Sequence, residues 1–107
     1  MGTEKEQANI NLIVLRRQFP LLGAYVAPRT PTEQKLAEIF RLALRMDEVS
    51  IADDFEQLGG DSLIAVSIYA DIEKAFGIEV APGALARSPT IEQLASTIDV
   101  LVAGRKA

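Results

Sequence analysis

Hydrophobic residues recur at helical spacing in three stretches of this chain. In residues 31–45, PTEQKLAEIFRLALR, the apolar positions Leu36, Ile39, Phe40, Ala43 and Leu44 fall three and four apart, which is the spacing of one helix face. Thr30 can cap this helix, Pro31 suits its first position, and Glu33 stands three residues after Thr30, as a reciprocal capping box requires. A second helix is predicted from Ser62 to about Phe76, with Asp61 as its cap and Gly77 where a left-handed residue commonly ends a helix. Turning each residue by about 100° gathers Ala65, Ile68, Tyr69, Ile72 and Phe76 within about 60° of one direction, the face that turns to the core. The third stretch, TIEQLASTIDVLVA, has Thr90 as cap and Gln93 at the box position. Its face is Ile91, Leu94, Ala95, Ile98, Leu101 and Val102.

The intervening segments are shorter on pattern. MDEVSIADDFEQLGGD, a connection of 16 residues, scatters Val49, Ile51, Phe55 and Leu58 through a polar background. Connections of that length inside compact domains are uncommon unless their own side chains pin them, so these four residues are expected to dock onto the helices. IEVAPGALARSP leaves room for a single short turn around Pro82 to Ala86. Near the N-terminus, QANINLIVLRRQF could form an extra helix, whereas Pro20, Gly23 and Pro28 interrupt any period in PLLGAYVAPR, which reads as an extended linker. No β-alternation or internal repeat is visible. The fold class is all-α, a small bundle of three longer helices plus one short helix, with an optional N-terminal addition.

Composition narrows the chemistry. At 107 residues, folding hides roughly 60–65% of the unfolded surface, enough for one modest core and no deep substrate cavity. No run approaches the ~18 apolar residues of a membrane span, and the polar N-terminus lacks the basic-then-apolar order of a secretory signal. The Met-Gly start does not read as a myristoylation motif, because position 6 is Glu6. A soluble, cytoplasmic protein is expected, without a membrane partner. The chain has no cysteine and no histidine, which removes disulfides, thiolate ligands and the usual zinc sites; a net charge of −4 argues against nucleic acid.

Attention then falls on FEQLGGDSLIAVSIYADIEKAFG, where Ser62 stands between a double glycine and a helix start. A serine hydrolase of the GDSL kind is one reading, but the hydroxyl needs a base and there is no histidine; Lys74, twelve residues along the same helix, lies about 18 Å away. A plain helix-start serine is a second, although Asp61 can do that capping and leave the hydroxyl free. The third is an attachment point for a phosphate-linked group. A helix N-terminus offers unpaired N–H groups and the positive end of the helix dipole, and Gly59 and Gly60 bring no side chain to shield the hydroxyl. Leu63, Val66 and Ala70 lie about 100–160° from the core direction, on the flank beside the serine. Three contiguous apolar residues there suggest a partner-docking patch, against the alternative of ordinary scattered surface residues.

DDFEQLGGDSL, Asp53 to Leu63, resembles the phosphopantetheine-attachment motif of carrier proteins, in the form typical of peptidyl carrier (thiolation) domains of nonribosomal peptide synthetases. The likeness runs from YVAPRTPTEQKLAEIF at Tyr25 through VSIADDFEQLGGDSL to SPTIEQLASTI at Ile98. It implies an acyl-carrier-like bundle without catalytic activity. Ser62 would carry a 4′-phosphopantetheine arm placed there from coenzyme A by a separate phosphopantetheinyl transferase, with Asp61 and Leu63 flanking the site and Leu63, Val66 and Ala70 meeting partners. The arm's thiol would hold an aminoacyl, peptidyl or acyl group as a thioester. An adenylation or acyl-loading enzyme would load it, and condensation, tailoring or thioesterase enzymes would receive it. The sulfur arrives with the cofactor, so the chain needs no cysteine.

Fatty-acid-type carriers present acidic residues early in the second helix, where this chain has Ile64 and Ser67; apolar recognition and the peptidyl class are favoured. An acyl carrier of polyketide or fatty-acid type, and an unmodified helical interaction domain, are the alternatives. APGALARSPT lacks the bulky aromatic that often precedes the Pro-Thr pair in the family. The expected division is an extension over residues 1–24, a carrier domain over 25–103 and a tail over 104–107. That fits a free-standing monomeric carrier or a piece of a longer protein.

Overall fold

The computed structural model describes residues 13–106. Its helices are α1 (Pro31–Leu44), α2 (Ser62–Phe76), the one-turn α3 (Ala84–Arg87) and α4 (Ile91–Lys106), preceded by a 3-10 turn at Arg16–Gln18. Among the described residues there is no sheet, only an isolated parallel bridge between Val14 and Met46. The architecture is the all-α bundle of three longer helices and a short one that the hydrophobic pattern implies.

Local chemistry sets most helix ends. The Thr30 hydroxyl accepts from the Glu33 amide at 3.0 Å, with Pro31 opening α1. The other half of the expected box differs: the Glu33 carboxylate accepts from the Arg29 amide at 2.8 Å rather than from Thr30, because the Arg29 guanidinium draws it there with a second bond at 2.9 Å. α1 stops at Arg45, which turns left-handed at φ 56°, and the Met46 amide folds back onto the Arg41 carbonyl. α2 has the predicted limits. The Asp61 carboxylate accepts from the Ile64 amide at 2.9 Å, and Gly77 ends the helix at φ 66°. α3 begins two residues later than the turn expected at Pro82, since Gly83 is itself left-handed at φ 80° and cannot belong to the helix. Thr90 caps α4 through the Gln93 amide. That helix continues through Gly104 to Lys106, so residues 104–106 of the expected tail are helical.

α1 packs against both α2 and α4. Leu36 and Phe40 of α1, Ile68 and Ile72 of α2, and Ile91, Leu94 and Ile98 of α4 are almost wholly removed from water. Burial on this scale, about 1.5–3 kcal/mol for each large apolar side chain, is what holds so small a fold together. Tyr69 and Phe76 sit half-buried at the edge of the α2 face. Leu101 departs from expectation and is 43% exposed. The Thr32 hydroxyl donates to Asp99, so the last turns of α4 run past the start of α1 and have less to pack against.

The long connection is pinned as expected: Val49, Ile51, Phe55 and Leu58 are all buried. Its backbone is tied at Ile51, whose amide donates to the Val26 carbonyl and whose carbonyl accepts from the Glu92 amide, and at Phe55, whose amide donates to the Pro89 carbonyl. The Phe55 ring meets Phe40 edge-on, with centroids 6.1 Å apart.

Of the stretch that could have formed an N-terminal helix, residues 7–12 lie outside the described residues, and 13–19 are not α-helical. Val14 donates its amide to the Arg45 carbonyl and accepts from the Asp47 amide, so tertiary partners take the groups an α-helix would have used.

Candidate functional site

Ser62 is the first residue of α2 and is exposed. Asp61, just ahead of it, supplies two acceptors to the first turn: its side chain takes the Ile64 amide and its carbonyl the Ala65 amide. The amides of Ser62 and Leu63 are those that a helix start leaves without an intrahelical acceptor, and they sit at the positive end of the helix dipole. The hydroxyl is therefore beside backbone donors that suit an anionic ester.

The approach to the serine is fixed by the two glycines, for different reasons. Gly59 is left-handed at φ 87°, which only glycine adopts without strain. Gly60 lies so close to the Phe55 ring that a methyl group on it would overlap the far edge of the ring, and its amide donates to the Phe55 carbonyl at 3.0 Å. The expectation that both glycines serve to uncover the hydroxyl thus gains a different physical reason. They let the chain turn tightly over a buried aromatic and deliver Ser62 to the surface.

Beside Ser62 a groove of about 640 Å³ opens between α2 and the α3 region, lined by Val66, Tyr69, Ala70, Pro82 and Leu85 among others. The candidate docking residues are partly separated here. Val66, 64% exposed, and Ala70 share the groove with Ser62, whereas Leu63, 82% exposed, stands outside it on the same end of α2. Tyr69 was legible only as a core residue; its hydroxyl accepts from the Leu85 amide at 2.9 Å and so fastens α3 to α2 as the far wall of the groove. A tyrosine on an apolar face needs a partner for its hydroxyl, which was the available signal.

The residues present fit a phosphopantetheine group. The hydroxyl is exposed, free helix-start amides adjoin it, and a largely apolar groove, with the carboxylates of Glu56, Asp61 and Glu73 among its lining, runs from it. No cluster of His, Cys, Asp or Glu that could hold a metal ion occurs among the described residues, nor a helix long and apolar enough to cross a membrane.

A helical bundle of this form with an exposed serine at the head of its capped second helix has the architecture of a carrier domain, and comparison with known proteins agrees. The family model described as "Phosphopantetheine attachment site" matches residues 34–98. Indigoidine synthase of Streptomyces lavendulae is 40% identical over 74% of this chain, and chondramide synthase of Chondromyces crocatus 44% identical over 74%. The chain spans only 6% and 2% of those two proteins. A chain from the structure of the phosphopantetheine transferase Sfp in complex with coenzyme A and a peptidyl carrier protein superimposes with a TM-score of 0.69 at 36% identity. That match covers 71% of this chain and 99% of the other. The chain belongs to the phosphopantetheine-attachment family of carrier proteins. It is a non-catalytic carrier domain whose covalent cofactor is 4′-phosphopantetheine, and it presents a thioester on that arm to partner biosynthetic enzymes.

Proposed function

We propose that Ser62 is the attachment point and that the carrier is of the peptidyl type, serving enzymes that build secondary metabolites. The observation that carries the site is the surroundings of this one serine among five. Ser50 is fully buried and accepts from the Val26 and Ala52 amides, Ser67 and Ser96 stand within helices, and Ser88 follows the end of α3. Only Ser62 combines exposure with the open amides of a long helix. In the attachment step the Ser62 oxygen forms a bond to the phosphopantetheine phosphorus of coenzyme A. The pyrophosphate bond breaks, adenosine 3′,5′-bisphosphate leaves, and the serine proton passes to a base of the transferase. The attached arm supplies the thiol that carries the acyl or aminoacyl group.

Asp61 caps the helix that Ser62 opens and Leu63 flanks the serine on its other side, while Leu63, Val66 and Ala70 form an apolar docking flank. Ile64 and Ser67 stand where an acidic stripe would favour charge steering, which supports apolar recognition and the peptidyl class. The partners that follow are a phosphopantetheinyl transferase, an adenylation or other loading enzyme, and condensation, tailoring or thioesterase enzymes. The setting is cytoplasmic and the carrier a monomer. Incubation with coenzyme A and a broad-specificity transferase should raise the mass of the protein by one phosphopantetheine group; an equal gain on Ser62→Ala would overturn the assignment.

A further inference from the structure

The segment ahead of Tyr25 is held to the bundle more firmly than a linker needs, and Arg16 is its centre. The Arg16 guanidinium donates from Nε to Asp53 Oδ2 at 2.8 Å and from Nη2 to Asp53 Oδ1 at 2.9 Å. Nη2 also donates to the Gly23 carbonyl at 2.9 Å, and the cation lies 5.5 Å from the centre of the Tyr25 ring. The pair is nearly dry: the Arg16 side chain is 11% exposed and that of Asp53 3%. The Arg16 amide donates to Asp47 Oδ1, and Val14 is bonded on both sides, to Arg45 and Asp47. Val14, Phe19 and Leu22 pack against the core.

Asp53 is also part of the connection that leads to the serine. Its Oδ2 accepts from the Ser50 amide at 3.0 Å, and its own amide donates to the Ser50 carbonyl. Two residues on, Phe55 is anchored to Pro89 and forms the surface on which Gly60 rests, immediately before Asp61 and Ser62. A buried carboxylate with only one backbone donor would be costly, so the loop depends on its counter-ion.

We infer that Arg16 is a positioning residue for Ser62 and that the carrier unit includes the chain from Val14 to Tyr25. Arg16 neutralises Asp53, Asp53 fixes the turn at Ser50, and that turn sets Phe55 and the double glycine beneath the attachment serine. The positioning role rests on Ser62 being the attachment point; the contact between Arg16 and Asp53 does not.

Two readouts on the full chain separate these. Amide hydrogen exchange should show that Arg16→Met speeds the amides of Ser50 to Gly60 by at least about tenfold while those of Leu94 to Ile98 in α4 change little. Asp53→Asn placed on top of Arg16→Met should return much of that protection, because a neutral amide needs no counter-ion. Arg16→Lys should retain part of it, since it keeps the charge without the fork. Transferase kinetics should then show a lower kcat/KM on Ser62 for Arg16→Met and recovery in the double variant. Unchanged loop exchange in Arg16→Met, or a double variant as loose as the two single losses added, would overturn the inference. If Arg16→Met unfolds, the exchange of Arg16→Gln and of Asp53→Asn decides it, and wild-type-like loop protection in Arg16→Gln, which removes the charge, would count against it. If the wild type takes up no phosphopantetheine at Ser62, the attachment reading and the positioning role fail, while the exchange result still decides whether the segment around Arg16 belongs to the unit.

Discussion

Replacing Gly60 by alanine tests how the serine is delivered to the surface. An ideal Cβ at Gly60 would overlap three atoms at the far edge of the Phe55 ring, the Cζ and both Cε carbons. Carbon atoms rest about 3.5–4.0 Å apart, so the ring must retreat by roughly an ångström. It is 4% exposed and already packed edge-on against Phe40, which leaves it little room. Overpacking of this kind costs about 1–3 kcal/mol, or about 4–8 °C in melting temperature for each kcal/mol in a domain of this size. Leucine at position 55 carries no atoms where the distal ring edge lies. In a Phe55→Leu background, then, Gly60→Ala should lose its penalty and stabilise by about 0.4–1 kcal/mol, because alanine restricts the unfolded chain more than glycine does. Gly59→Ala is the control. Its φ of 87° carries strain of about 1–2 kcal/mol that the Phe55 substitution cannot relieve. Urea unfolding of the four combinations, at matched denaturant slopes, measures the coupling. A Gly60→Ala variant within about 0.5 kcal/mol of wild type, or a penalty that persists in Phe55→Leu, would refute the packing argument.

Three further outcomes are expected. Asp61→Ala removes the acceptor of the Ile64 amide and should cost about 1 kcal/mol, read from the same urea curves, with slower modification of Ser62 by the transferase. Val66→Asp, on an exposed position, should leave stability within about 0.5 kcal/mol while raising the transferase KM; an unchanged KM would remove Val66 from the docking flank. Glu33 is held below the ordinary carboxylate range chiefly by hydrogen bonds from the Arg29 side chain, against the opposing effect of burial. A depressed value means that its contribution is full above about pH 4.5 and is lost as the pH falls through the lowered value. Wild type should therefore lose more stability than Glu33→Gln between pH 5 and pH 3 (roughly the carboxylate range), and parallel losses would contradict the assignment.

The helices were legible because their signals are local. Thr30, Asp61 and Gly77 act within four residues of where they stand, so the limits of α2 could be read directly, and three- and four-residue spacing named its buried face. What escaped reading depends on tertiary partners. Arg45 ends α1 in a left-handed turn with no glycine to announce it. Glu33 turns to Arg29 because a guanidinium is there to receive it. Val14 is drawn from a helix into a bridge by the chain at Met46. At the site, Ser62 and its exposed flank followed from the sequence, since a helix start and an off-core face are both periodic properties. The role of Gly60 needed the position of the Phe55 ring, and Arg16 lies 37 residues from Asp53, a pairing with no local signature.

The central claim is that this chain carries its chemistry on one serine, and it is tested most directly by locating the attached group. The 107-residue chain should be incubated with coenzyme A and transferase to completion, weighed intact, and fragmented over the peptide that contains Ser62 and Ser67. The account predicts a single phosphopantetheine group per chain, found on Ser62 and absent from the Ser62→Ala variant. No mass gain on the wild type, or a group found on Ser67 or another serine, would contradict it.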